Sequence, residues 1–379
     1  MAQRYGKKNK YHIKVAGFSS NSKPAMCYCV NKKLNKLLEK VNFPVNGRLY
    51  ISIDMSIEKI LTENFKSLRH IRETFKTDED CKAFLEELMW EGEPVSPYDK
   101  SSQVYKCKDG WYKCKNTGKE FNILTKTLFQ NTKIDLPTWF EIIFREHSDK
   151  GGLAATTIMR DYGLSYTTAW HMLHKIRNAM GFENHKELSG TVEVDEYYAG
   201  GSLKNMHYDK KLEVKEKTYQ NKKLLQGFVE RNGDLVIRTV SDMTESTLNA
   251  GVLRYVKTGS TLYSDDNQSY QKLPPLYNRG IVVHSKGRYV DKDNKSLYTN
   301  TIECGWSGFE RIESTHIKIS NKHLQNYANE TVFRYNTRKM KSADACIWFL
   351  QNIPGTNLTW KDIQNAKYRQ YNRNQARVA

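Results

Sequence analysis

Residues 191–201 read TVEVDEYYAGG. Val192 and Val194 alternate with Glu193 and Asp195, so a strand here turns valines to one face of a sheet and two carboxylates to the other. A lone acid in such a place is ordinarily a salt-bridged or hydrogen-bonded strand residue. Two polar clusters downstream change that reading. In LYSDDNQSY, residues 262–270, an apolar strand runs into Asp265 and Asp266, which puts a carboxylate at the carboxyl end of a strand, where α/β ligand sites form. In YTNTIECGWSGFER, residues 298–311, Thr299 is a candidate N-cap, and Asn300 and Glu303 project from nearly the same face of the helix that follows.

Working outward, Lys223–Glu230, Leu235–Val240, Thr261–Ser264 and Gly280–His284 read as further strands. A helix starts near Thr244, between the third and fourth strands, and a longer one follows Thr299. This succession predicts an α/β fold with an RNase H-like core, a mixed sheet flanked by helices. Oxygen ligands from Asp195, Asp265 and either Asn300 or Glu303 suit Mg²⁺ or Mn²⁺, with waters and substrate phosphates completing the octahedron. A site of this kind performs phosphoryl transfer.

The 379 residues carry 60 Lys plus Arg against 42 Asp plus Glu, a formal charge of +18. That balance suits a polyanionic partner, nucleic acid first. With 39% hydrophobic and 27% charged residues, a wholly disordered or collagen-like chain is excluded. No run approaches the ~18 apolar residues of a spanning helix, and the start MAQRYGKKNK lacks an apolar signal core. The expected location is therefore the cytoplasm, at the nucleoid, with no membrane partner. Cysteines 27, 29, 81, 107, 114, 304 and 346 are scattered and read as free thiols. Residues 1–40 hold +9, half of the net charge, and read either as a phosphate-gripping arm or as a solvated basic one. Residues 47–57 alternate like a strand and Ile57–Phe75 is patterned like a helix, together a basic extension (1–76) of unassigned fold.

From Thr77, TDEDCKAFLEELMW predicts a capped helix with Cys81, Phe84, Leu85, Leu88 and Met89 inward. It opens a segment, 77–135, in which Asp109-Gly110 and Asn116–Lys119 mark two tight turns between short strands. Cys107 and Cys114 lack the paired spacing of a zinc site. In 136–186, Ala154, Ala155, Ile158 and Met159 form one apolar face, Gly163 permits a turn, and Ser165 caps a second helix. That helix turns Ala169, Met172, Leu173 and Ile176 inward and offers Tyr166, Thr167, Thr168, His171, Lys175 and Arg177 outward. The pattern is that of a DNA-binding helix-turn-helix or of an ordinary helical hairpin.

Taken in order, VEVDEYYAGG, YSDDNQSYQKL, HSKGRYVD, TNTIECGWSGFERI and HLQNYANETVFRYNTRK make the chain from about Thr77 to Lys339 resemble bacterial insertion-sequence transposases. These join a zinc ribbon and a helix-turn-helix to an RNase H-like D-D-N/E catalytic domain, here 187–340, with a basic tail at 341–379. The resemblance implies a divalent-metal-dependent DNA transposase that cleaves element ends and transfers 3′-hydroxyls into target DNA, working as a homodimer or larger assembly on double-stranded DNA. It assigns the catalytic set Asp195, Asp265, Asn300 and Glu303, with Asp195, Asp265 and Asn300 on the cation. The ribbon departs from the pattern. Ser96, Asp99 and Thr117 stand where cysteines would, leaving Cys114, so no structural zinc is expected, and packing by Trp111, Tyr112 and Phe121 would have to hold the fold. Where the family carries a basic residue after its Trp-Ser pair this chain has Glu310 followed by Arg311, so either Arg311 stands in for it or phosphate contact is weakened. Trp306 and Phe309 are expected in the core, and Arg334, Tyr335, Asn336 and Arg338 in fold support and phosphate contact. The loop Lys204–Lys223, with seven Lys against three acids, reads either as a DNA-tracking segment or as a solvated insertion. His284 and His316 are left out of the catalytic set. The alternative is a transposase-derived DNA binder that no longer cuts.

Overall fold

Thr77 starts a helix by a reciprocal cap: its hydroxyl accepts from Asp80 N–H, while the Asp80 carboxylate accepts from the Thr77 N–H. Three acids in the first turn suit the positive end of the helix dipole. In the computed structural model, which describes residues 65–200, 223–265, 268–270, 272–282, 298–316 and 319–366, this helix is α2 (Asp78–Trp90), preceded by α1 (Leu68–Thr74). The basic segment 1–40, the strand-like 47–57, Asp266, most of the Lys204–Lys223 loop and the stretch 284–291 with His284 lie outside the described residues. The described residues all fall within one unit, Phe65–Ala379. No described helix is long and apolar enough to cross a membrane.

A small antiparallel sheet follows, β1 (Val104–Lys106), β2 (Tyr112–Cys114) and β3 (Glu120–Phe121). Asp109 and Gly110 both take positive φ in its first turn, as the Asp-Gly pair predicts. At the four ribbon positions, the buried Ser96 hydroxyl accepts from the N–H groups of Tyr98 and Asp99. The Asp99 carboxylate accepts from Ser101 and Asn116. Burial alone would raise the Cys114 thiol, but hydrogen bonds from Ser102, Ser96 and Thr117 outweigh it and bring the pKa to about 6. The aromatic core here differs from expectation in one member. Tyr112 and Phe121 stack 5.8 Å apart, and Trp90 meets Tyr112 edge-on. Trp111 is 42% exposed, because β2 alternates and Trp111 precedes its inward Tyr112.

Helices α3 (Leu136–Ser148), α4 (Ala155–Tyr162) and α5 (Tyr166–Ala179) come next. Gly163 ends α4 in the left-handed region, φ 64°, and the Ser165 hydroxyl caps α5 by accepting from Thr168 N–H. Ala169, Met172, Leu173 and Ile176 are buried as expected. The chain then forms β4 (Thr191–Ala199), β5 (Lys223–Glu230), β6 (Leu235–Val240), α6 (Glu245–Tyr255), β7 (Thr261–Asp265), β8 (Asn278–Val282), α7 (Asn300–His316) and α8 (Leu324–Asn336). The five strands are ordered β6-β5-β4-β7-β8; β4, β5 and β6 pair antiparallel, and β4, β7 and β8 parallel. This mixed sheet with helices on both faces is consistent with the RNase H-like core read from the sequence.

Alternation along β4 divides the core. Val192 and Val194 pack with Phe228, Val236, Leu248, Val252 and Leu262 beneath α6. On the other face Leu225, Val229, Leu235 and Ile237 meet Ile302, Trp306 and Phe309 of α7 and Tyr327, Ala328 and Val332 of α8. The expected basic tail is corrected in part: α9 (Ser342–Gln351) and α10 (Trp360–Gln364) are helices. Cys346, Ile347, Phe349 and Leu350 are buried as α9 packs on α2 and α3, an apolar stripe that lysine-rich surroundings obscure.

Candidate metal centre

The sheet changes direction at β4. Strands β5 and β6 lie to one side and the parallel β7 and β8 to the other, so the carboxyl ends of β4 and β7 flank a topological switch point. Pairing between them runs from Thr191 opposite Thr261 to Glu193 opposite Tyr263. Beyond Glu193, β4 continues to Ala199 against β5 alone, while β7 ends at Asp265. The parting of the strands opens a crevice. Asp195, Glu196 and Asp265, all partly buried, each offer it a carboxylate oxygen, and these oxygens lie within 4.8 Å of one another.

Sequence reading brought Asp195 and Asp265 together and missed Glu196. Alternation assigns Glu196 to the opposite face, where its register partner is Gln226. At a strand whose next neighbour has ended, both faces open toward the same gap. The Glu196 carboxylate accepts from the Tyr270 hydroxyl, which in turn accepts from Gln226 Nε2 at 3.0 Å. Burial, and then the Glu196 charge, raise the Tyr270 phenol well above its ordinary pKa, so it stays a donor. Asp195 Oδ2 accepts from Trp306 Nε1 at 2.9 Å. Trp306 reaches it by lying on Gly227, the cross-strand partner of Asp195; a Cβ there would stand 2.6 Å from the indole. Trp306 and Phe309 are core residues as expected, with this added bond.

The start of α7 is fixed beside the crevice by Glu193, which is fully buried. Its carboxylate accepts from Thr301 N–H at 2.9 Å, Ile302 N–H at 3.1 Å, the Thr301 hydroxyl at 2.9 Å and Arg231 Nε at 2.7 Å. Arg231 is sandwiched by Tyr298 and Tyr263, 3.6 and 4.6 Å from the ring centres, and donates to the Tyr298 carbonyl. A carboxylate at a helix N-terminus answers both the unpaired N–H groups and the dipole. Asn300, exposed, and Glu303, half-buried, are thus carried on a helix start bound to β4. Glu303 is outside the cluster of three carboxylates.

Oxygens around one Mg²⁺ at ~2.1 Å stand roughly 3–4.2 Å apart, so Asp195, Glu196 and Asp265 fit a divalent hard cation with a small contraction. Three carboxylates this close also repel strongly without one.

Of the residues expected on the outer face of α5, Tyr166 and Thr167 are exposed, and Thr168 and His171 half-buried. Lys175 and Arg177 are corrections. Lys175 is 5% exposed and donates to the Leu128 carbonyl at 3.0 Å. Arg177, 1% exposed, donates to Glu330 at 2.7 Å and stacks 4.5 Å from the Tyr327 ring. The last turns of α5 are enclosed on every side, so their polar residues face protein. Arg177, Glu146, Glu330 and Arg334 form an interior charge network joining α3, α5 and α8. Burial, then the Glu330 charge, push the Glu146 carboxyl up; burial opposes ionisation of Glu330 as well, but Arg177 and Arg334 win and hold it low. Arg334 and Asn336, the latter accepting from Leu235 N–H at 2.8 Å, are fold supports. Arg311 is exposed on α7, and His316 contacts Arg177 at 3.0 Å.

Residues 187–336, which hold the crevice and both helices beside it, match the model of the ISXO2-like transposase domain. The chain is also 24% identical over 272 residues to an uncharacterized protein in transposable element ISH50 of Halobacterium salinarum, across 67% of this chain and 89% of that protein. Together these likenesses support an insertion-sequence transposase.

Proposed function

We propose that this chain is a transposase that cleaves DNA strands at the ends of a mobile element and joins the freed 3′-hydroxyls to target DNA, in a reaction that requires a divalent cation. The observation that carries the reading is the meeting of Asp195 and Asp265 at the switch point inside the stretch that matches a transposase domain. Asp195 and Asp265 would hold Mg²⁺ or Mn²⁺, with Glu196 as a further oxygen donor. The cation when bound supplies Lewis acidity toward a phosphoryl oxygen. Trp306 fixes the orientation of the Asp195 carboxylate, and Tyr270 that of Glu196. Asn300 and Glu303 serve from the start of α7, Asn300 by orienting a ligand or water and Glu303 by completing coordination or steering a proton.

DNA contact falls to the exposed first turns of α5, where Tyr166, Thr167, Thr168 and His171 suit a major groove, and to Arg311 for phosphate. Lys175 and Arg177 have no part in it. Joining two element ends calls for at least two copies of the chain. The test is Mg²⁺-dependent cleavage of DNA carrying the element ends, with Asp195→Asn and Asp265→Asn as separate variants that still bind DNA. Loss of cleavage in both is expected; undiminished cleavage in either sinks the assignment. Binding without cleavage by the unaltered chain would establish instead the DNA binder that no longer cuts.

A further inference from the structure

The small sheet β1-β2-β3 has two unlike faces. One carries Tyr112, Cys114 and Phe121, packed with Trp90, Tyr98 and Val104. Alternation sends the intervening residues to the other face: Tyr105 from β1, Trp111, Lys113 and Lys115 along β2 and its flanks, and Glu120 from β3. Register places Tyr105 opposite Lys113, and Lys113 opposite Glu120, so Trp111 and Lys115 are the diagonal neighbours of Tyr105. Tyr105 is 51% exposed and Trp111 42%, and Lys113 and Lys115 are exposed with them. The backbone fixes this row: Cys107 N–H donates to the Trp111 carbonyl at 2.8 Å and Lys115 N–H to the Gln103 carbonyl at 3.0 Å.

The surroundings of the two rings are basic. Residues 100–121 contain six lysines against Asp109 and Glu120. Lys106 belongs to the core side, where its charge acts on Glu86, and Lys119 lies 5.3 Å from the Tyr98 ring. Lys108 in the turn, and Lys113 and Lys115 on the open face, border Tyr105 and Trp111. Lys115 Nζ donates to the neutral Gln103 amide at 3.0 Å. None of these three ammonium groups is in an ion pair among the described residues, although Glu120 shares the face with Lys113.

We propose that this face is a stacking platform for unpaired bases of a DNA strand, with Tyr105 and Trp111 stacked on bases and Lys108, Lys113 and Lys115 following the phosphates beside them. Aromatic rings accept the flat face of any base. In a duplex those faces are covered by the neighbouring base pairs and only the edges are open, so two outward rings select a strand whose bases are unpaired. Exposed aromatic side chains gathered on one sheet face mark a contact surface, and the lysines around them make the partner an anion. Trp111, expected in the core, thus has a use at the surface. The inference rests on the reading of DNA as the partner of this chain, and none of the acids of the crevice enters it.

The anisotropy of labelled oligothymidylate, and of a fully paired duplex of equal length, is followed as the full chain is added. EDTA is present, so no strand is cut and the outcome is independent of the cation-dependent reaction. Tyr105→Ala and Trp111→Ala should each weaken binding of the single strand about 5- to 150-fold, the worth of one stacked base, and change duplex binding by less than about twofold. Tyr105→Phe keeps the ring and should keep the affinity, which separates lost stacking from lost folding. Lys113→Gln combined with Lys115→Gln should flatten the fall of log affinity with log salt by ~0.7 for each lysine removed. Tyr166→Ala on α5 should weaken the duplex and spare the single strand, so the contact proposed for that helix can fail without touching this one. Undiminished single-strand affinity in both alanine variants, no saturable binding of oligothymidylate, or equal losses on single strand and duplex overturns the proposal.

Discussion

Replacing Glu193 by Gln tests how the start of α7 is held beside the crevice. The carboxylate is fully buried and splits its four donors evenly. One oxygen takes Arg231 Nε and the Thr301 hydroxyl, the other the N–H groups of Thr301 and Ile302. In either orientation of the amide, its NH₂ confronts two of them. Turned to the backbone, it orphans two helix N–H groups; turned to Arg231, it opposes a cation that cannot accept, although the Thr301 hydroxyl can rotate. Breaking a buried ion pair costs about 3–5 kcal/mol. Arg231 keeps its two tyrosines and the Tyr298 carbonyl, so the expected loss is about 2–4 kcal/mol. Arg231→Met leaves Glu193 buried with a charge and should cost a similar amount. The double variant removes both charges at once, and urea unfolding of the four proteins should yield a coupling of about 2 kcal/mol. Additive losses, to within ~0.5 kcal/mol, would show that the pair does not anchor the helix.

Gly227→Ala should push Trp306 off the sheet, since the added methyl would sit 2.6 Å from the indole; about 1–3 kcal/mol of stability is lost, together with the bond to Asp195, and a shift of tryptophan emission reports the displacement. The pH dependence should follow His147, whose ring lies 4.9 Å from Phe333 and 5.0 Å from Phe349 and whose pKa burial lowers to about 4. An unfolded chain takes up that proton near pH 6.5 and the folded one refuses it, so this contribution to stability is complete above 6.5 and is lost as pH falls toward 4. His147→Phe should therefore lose less stability than the unaltered chain between pH 7.5 and 4.5, by at most ~2.5 kcal/mol, as read from melting temperatures; identical pH profiles would remove His147 from the account.

Much of the core was legible because alternation and capping are local. Lys223–Glu230 and Leu235–Val240 fall where their patterns place them, Thr77 and Ser165 cap the helices they were read to cap, and a helix starts after Thr244 as expected. Asp195 and Asp265 were legible as carboxylates at strand positions near a switch point. What escaped depends on contacts made far along the chain. Glu193 has the alternation of a second site acid, yet its partners lie more than a hundred residues away on α7, apart from Arg231. Glu196 joins the cluster only because β7 stops short of it. Lys175 and Arg177 sit on a helical face that looks outward on a wheel, and Leu128 and α8 cover it.

The charges closed in among α3, α5 and α8 have a mechanical meaning. Arg177 leaves the recognition-like helix to clasp Glu330 on a helix that also floors the mixed sheet, and any swing of α5 would strand ions away from water. The helix pair and the sheet must then turn as a single lever. If the proposed function holds, duplex seated along Tyr166 would arrive at the acids at a preset bearing, the span from docked bases to severed bond would be set by the protein's build, and lengthening that span in the DNA by half a helical turn would carry the strand out of reach.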